Sequence, residues 1–65
     1  MNNIEILNNI SKIQESRAKD YFESKERFFL INILEKLQNN LDVKLNKDEV
    51  SLLKKIFQKY LKFVN

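Results

Sequence analysis

The stretch Phe28-Phe29-Leu30-Ile31-Asn32-Ile33-Leu34 decides how this chain must fold. It lies within a longer segment that reads as helix. Seven residues make about two helical turns, and all but Asn32 are apolar. A helix with one buried stripe needs only about three or four apolar residues over that length. The block is therefore apolar nearly all the way round and has to be covered from several sides. The cover comes either from the chain's own helices or from another chain. An all-α bundle that associates is the expectation from this block alone.

The rest of the composition agrees with helix. The 65 residues include no Gly and no Pro, and sheet turns depend on residues that take positive φ, chiefly Gly. There is no Cys and no His, so neither a disulfide nor a zinc site helps to stabilise so short a chain. Helix packing and association remain as the sources of stability. We expect one small domain, residues 1–65.

Outward from the block, the N-terminal half reads as one helical region, about Asn3 to Gln38. Asn2 or Asn3 caps it, and Asn2 with Glu5 has the spacing of a capping box. Ile4, Leu7, Ile10, Ala18, Tyr21, Phe22, Phe28 and Phe29 hold roughly one face at 100° per residue. After Phe29 the face swings through Leu30, Ile33, Leu34 and Leu37. The weak stretch is Gln14 to Asp20, where Ala18 alone is apolar and where Asp20 with Glu23 offers a new helix start. Good helix formers and the surviving phase of the stripe predict a helix that runs through it, about 54 Å long. That makes an antiparallel hairpin with unequal arms, which needs a twin to cover it. The alternative is a break near residues 15–20 and a three-helix unit that folds back on itself.

On the far side, Asn39-Asn40 reads as a helix stop in the left-handed conformation. Leu41-Asp42-Val43-Lys44-Leu45 reads as an extended connector that tucks Val43 and Leu45 inward. Asn46-Lys47-Asp48-Glu49 then carries a full capping box, with Leu45 and Val50 as a hydrophobic staple. The last helix is expected over about Lys47 to Val64. Val50, Leu52, Leu53, Ile56, Phe57, Tyr60, Leu61, Phe63 and Val64 form the apolar half, and Ser51, Lys54, Lys55, Gln58, Lys59 and Lys62 form the polar half. Tyr21 and Tyr60 are placed at the rim of the core, their hydroxyls in water. Asn32 either fixes register inside an interface or marks the block's solvent-facing edge.

Chemistry finds little footing. The commonest general base and the strongest nucleophile are absent with His and Cys. Ser11, Ser16, Ser24 and Ser51 have no activating base in view and read as surface or capping residues. Glu23 and Glu26 share a helix face, and pairing with Arg27 or Lys19 accounts for them better than acid–base work. No Gly-rich loop cradles a phosphate, and no segment has the ligand density for Mg or Ca. We therefore expect no enzyme, no cofactor, no metal and no small-molecule substrate. The longest unbroken apolar run, Phe28 to Ile31, is far too short to span a bilayer. Without a signal-peptide pattern at the N-terminus, the expected location is the cytoplasm.

The charge is unevenly spread. Residues 1–43 carry six positive and seven negative charges, and residues 44–65 carry six positive and two negative. Lys54, Lys55, Lys59 and Lys62 lie within an arc of roughly 140° when the helix is drawn at 100° per residue. Such a face suits phosphate. Ile, Asn and Lys together make 26 of the 65 residues, the mark of A/T-rich codons, so lysine abundance by itself says little. Arg, the better phosphate and base reader, occurs only as Arg17 and Arg27. Two functions follow as expectations. The first is a small protein–protein interaction module, a regulator or inhibitor working as a homodimer or on a protein partner, through an apolar face centred on Phe22, Phe28, Phe29 and Leu30. The second is a small nucleic-acid-binding protein that uses the lysine face.

Overall fold

The computed structural model describes residues 2–64. It is all-α, with three helices: α1 (Asn3–Glu15), α2 (Ser24–Asn39) and α3 (Lys47–Tyr60). Two 3-10 segments complete it, one between α1 and α2 (Arg17–Tyr21) and one after α3 (Leu61–Phe63). No strand occurs among the described residues.

The expected continuous helix does not form; the alternative, a break near residues 15–20 and a three-helix unit that folds back on itself, does. The first helix stops at Glu15, and Ser16 sits at the break. The Ser16 backbone takes an extended conformation, and its hydroxyl donates to the Ile13 carbonyl at 2.7 Å. The same oxygen accepts from the Ala18 N–H at 3.1 Å and caps the 3-10 segment that follows. One side chain thus closes one element and opens the next, which is how Ser competes with helix continuation. Phe22 and Glu23 are extended as well. The new helix begins not at the Asp20 spacing but three residues on: Glu26 Oε1 accepts from the Glu23 N–H at 2.9 Å, the capping-box return bond.

The break lets the chain reverse twice. Glu26, near the start of α2, meets Lys59 and Tyr60 at the end of α3, and Lys36, near the end of α2, meets Glu49 at the start of α3. α2 and α3 are therefore antiparallel. Asn3 donates both amide hydrogens to the connector before α3, to the Leu41 carbonyl at 2.8 Å and the Val43 carbonyl at 2.7 Å. The other end of α1 packs on the 3-10 segment that follows α3. α1 thus runs parallel to α3, and the bundle is up-down-up. Its extents are 29 × 21 × 18 Å, which leaves no room for an arm of about 54 Å.

The core takes one stripe from each helix: Ile6, Ile10 and Ile13; Leu30, Ile33 and Leu37; Leu53, Ile56, Phe57 and Tyr60, with Ala18 from the first 3-10 segment. Phe22, Phe29, Leu34, Val43 and Leu45 pack against it from the side. The apolar block is thus covered on most sides by the chain's own α1 and α3. The hairpin's need for a twin along the whole block is gone, and Phe28 and Ile31 are the part left open.

The N-caps of α1 and α3 are among those the sequence marked, Asn2 rather than Asn3 serving α1. Asn2 accepts from the Glu5 N–H and Asn46 from the Glu49 N–H, both at 2.8 Å, and Glu49 returns the bond to the Asn46 N–H at 3.0 Å. Two ends differ. α2 does not end in the left-handed region, since Asn40 is extended at φ −153° and no described residue has positive φ. The chain turns there because Asn40 Oδ1 accepts from the Asp42 N–H at 3.0 Å, an Asx-turn. The last helix gives up the α form at Tyr60 rather than reaching Val64.

Candidate functional site

The four residues expected to form one interaction face are divided by the fold. Drawn on α2 at 100° per residue, Leu30, Ile33 and Leu37 fall on one side, with Phe29 and Leu34 at its margins. Leu30 is fully buried, and Phe22 and Phe29 are half-buried against the core. Phe28 points the other way and is 69% exposed. Its neighbour one turn on, Ile31, is 38% exposed. The open apolar surface of α2 is therefore Phe28 with Ile31, flanked by Ser24, Arg27, Asn32, Glu35 and Gln38, all exposed. Asn32 lies at the solvent-facing edge. Beside the pair runs a groove lined by Gln14, Lys19, Asp20, Phe22, Arg27 and Ile31. The helical spacing put Ile31 beside Phe28, but only the placement of α1 and α3 tells which side of the block stays open.

On the lysine face Lys54, Lys55, Lys59 and Lys62 are all exposed, and Lys59 is engaged. Lys59 Nζ donates to Glu26 Oε2 at 3.2 Å and lies 5.0 Å from the centre of the Tyr60 ring. Lys62 lies 5.5 Å from the Phe63 ring centre. Lys54 borders a groove with Asn9, Phe57, Gln58 and Leu61. Lys62 borders a different one, with Lys12, Glu15, Ser16, Arg17, Phe63 and Val64. Lys54, Lys55 and Lys62 are exposed, and none forms a salt bridge among the described residues.

The strongest polar arrangement is one the sequence did not mark. Tyr60 is 1% exposed rather than at the rim. Its hydroxyl donates to Glu26 Oε1 and lies 3.1 Å from the Tyr21 carbonyl. Tyr21, by contrast, is 62% exposed. Around the Tyr60 ring stand Phe22 in an edge-to-face contact at 4.8 Å and Phe63 at 6.4 Å, with Tyr21 stacked on Phe63 at 5.2 Å. Glu26 collects the Glu23 N–H, the Tyr60 hydroxyl and the Lys59 ammonium. Burial pushes its carboxyl up, but these donors outweigh burial and hold it below the usual 4.5. Burial and the Glu26 bond push the Tyr60 hydroxyl above its usual 10.0. The acceptor atoms of Glu26 are already engaged, so the cluster works as a clamp between α2 and α3 rather than as a free acid or base. No group of three acidic side chains suited to a metal ion occurs among the described residues.

Comparison of the chain with protein-family models, with curated proteins and with solved structures finds no match to any of them. No helix among the described residues is long and apolar enough to cross a membrane.

Proposed function

We propose that this chain is a small protein–protein interaction module, a regulator or inhibitor that works by presenting the outer face of α2 to a protein partner or to its twin. One observation carries the reading. Phe28 stands 69% exposed in a chain whose other phenylalanines are turned at least half inward. A large exposed aromatic next to an exposed aliphatic, ringed by polar residues, is the composition of an interface centre. With neither His nor Cys, and with the Glu26 oxygens and the Tyr60 hydroxyl hydrogen-bonded to each other and to their neighbours, the chain offers little for catalysis and much for contact.

The test uses the pair alone. Phe28→Asn with Ile31→Gln removes the apolar surface without touching the core. The double variant is expected to melt like the wild type and to lose partners that the tagged wild-type chain captures from the source cell. Identical capture by both would overturn the reading. Nucleic acid retained by both proteins, and lost on changing Lys54 and Lys55 to Glu, would replace it with the lysine-face alternative. For that alternative, the exposed and unpaired state of Lys54, Lys55 and Lys62 is the supporting observation.

A further inference from the structure

We infer that the outer face of α2 is a self-complementary surface that receives a second copy of this chain in antiparallel orientation, with Ile31 on the two-fold axis. The inference rests on the interaction reading above and names the occupant. The argument is in the order of residues along the exposed stripe: Ser24, Arg27, Phe28, Ile31, Glu35, Gln38. Arg27 lies four positions before Ile31 and Glu35 four positions after it. A two-fold axis through Ile31 exchanges those heights, so each Arg27 meets the other copy's Glu35, and a polar Ser24 meets a polar Gln38. A parallel pairing in register sets Arg27 on Arg27 and Glu35 on Glu35 instead. Like charges placed opposite one another repel, so the antiparallel orientation is the one selected.

Both charges are free to serve. Neither Arg27 nor Glu35 forms a salt bridge among the described residues. Arg27 makes one long hydrogen bond, Nη2 to the Lys19 carbonyl at 3.4 Å. On the helix the two charges occupy opposite flanks of the stripe, about 80° apart at 100° per residue. Each pair therefore crosses the seam obliquely, a span suited to the long Arg side chain. The two Ile31 side chains meet at the centre, and each Phe28 ring lies beside the other copy's Ile31 on one flank. α2 is about 24 Å long, and one helical stripe of that length buries less than the about 800 Å² per partner of a standard stable interface. The dimer is accordingly weak, in the micromolar range or above, and its orientation is set by charge.

Sedimentation equilibrium at low salt tests this with the wild type, Arg27→Glu and Glu35→Arg. Both substitutions fall on exposed positions, and a circular-dichroism melt checks that each variant folds. The wild type is expected to self-associate. Each variant alone sets two like-charged pairs across the seam and is expected to dimerise at least about tenfold more weakly. An equal mixture of the two variants restores both attractive pairs and is expected to recover the wild-type association. A wild type that stays monomeric, variants that associate as the wild type does, or a mixture no better than its components each overturn the inference. A monomeric wild type that still loses a captured protein on Phe28→Asn with Ile31→Gln removes the second copy and leaves the interaction reading intact.

Discussion

At the scale of single residues, Tyr60 is the position on which the polar part of the core depends. Its ring is packed between Phe22 and Phe63, and its hydroxyl satisfies a largely buried carboxylate. Tyr60→Phe keeps the ring and removes the donor. Glu26 then loses one of its partners in a site that water reaches poorly, and an unmade hydrogen bond to a charged group costs about 1.5–3 kcal/mol. We expect a loss in that range from urea denaturation, and a much smaller loss for the same substitution made after Glu26→Gln. Equal losses in both backgrounds would show that the hydroxyl and the carboxylate are not coupled. Tyr60 also marks a limit of sequence reading. Its periodicity put it on the inward half of the last helix, which is right. Its depth depends on Glu26 and Tyr21, 34 and 39 positions away, and nothing local encodes that meeting. Phe28 is the converse case, since its spacing resembles that of its buried neighbours and only the packed bundle leaves it out.

At the scale of elements, boundaries written in short polar side chains were the legible part. Asn2 and Asn46 were marked as caps and both bond the N–H three residues on. Ser16 reads from the sequence as a surface or capping residue with no helix break attached to it, and Glu23 is not marked as a cap, for different reasons. Ser is neutral enough inside a helix that good formers on both sides outvote it, and its break is fixed by the turn that follows as much as by its own hydroxyl. Glu is an uncommon cap, and only the Glu26 return bond identifies it. Two caps with different duties give a testable contrast. Asn46→Ala should cost about 1 kcal/mol, the usual loss at a good N-cap, and lower the melting temperature by several degrees. Ser16→Ala should cost at least as much, because the hydroxyl serves Ile13 and Ala18 together. A Ser16→Ala variant as stable as the wild type would mean that the chain reverses there without the hydroxyl.

At the scale of the whole molecule, two ion pairs hold α2 to α3 at opposite ends, and their protonation sets how stability varies with pH. Glu49 is held below its usual 4.5 by the Lys36 ammonium and the Asn46 N–H. Glu26 is held below 4.5 in spite of burial, by Tyr60, the Glu23 N–H and Lys59. A lowered folded value means that the unfolded chain takes up protons first as pH falls. The stabilisation is therefore complete above about 4.5 and is lost as the pH drops through the folded values. Tyr60 and Lys59 move the opposite way. Burial and the Glu26 bond raise Tyr60 above 10.0, and bonds to Tyr60 and Glu26 raise Lys59 above 10.5. A raised folded value means that the unfolded chain gives up its proton first as pH climbs. That share is complete below about 10 and is lost as the pH rises through the folded values. Melting temperature against pH is accordingly expected to form a plateau with an acid shoulder and an alkaline one. The two ends of the bundle can then be told apart. Glu49→Gln is expected to shallow the acid shoulder and leave the alkaline one in place, because only the Lys36 end is altered. Tyr60→Phe is expected to shallow both, since it removes the Tyr60 proton and one of the bonds that lower Glu26. An alkaline shoulder that survives Tyr60→Phe unchanged would place its origin in other groups and separate the clamp from the stability of the fold.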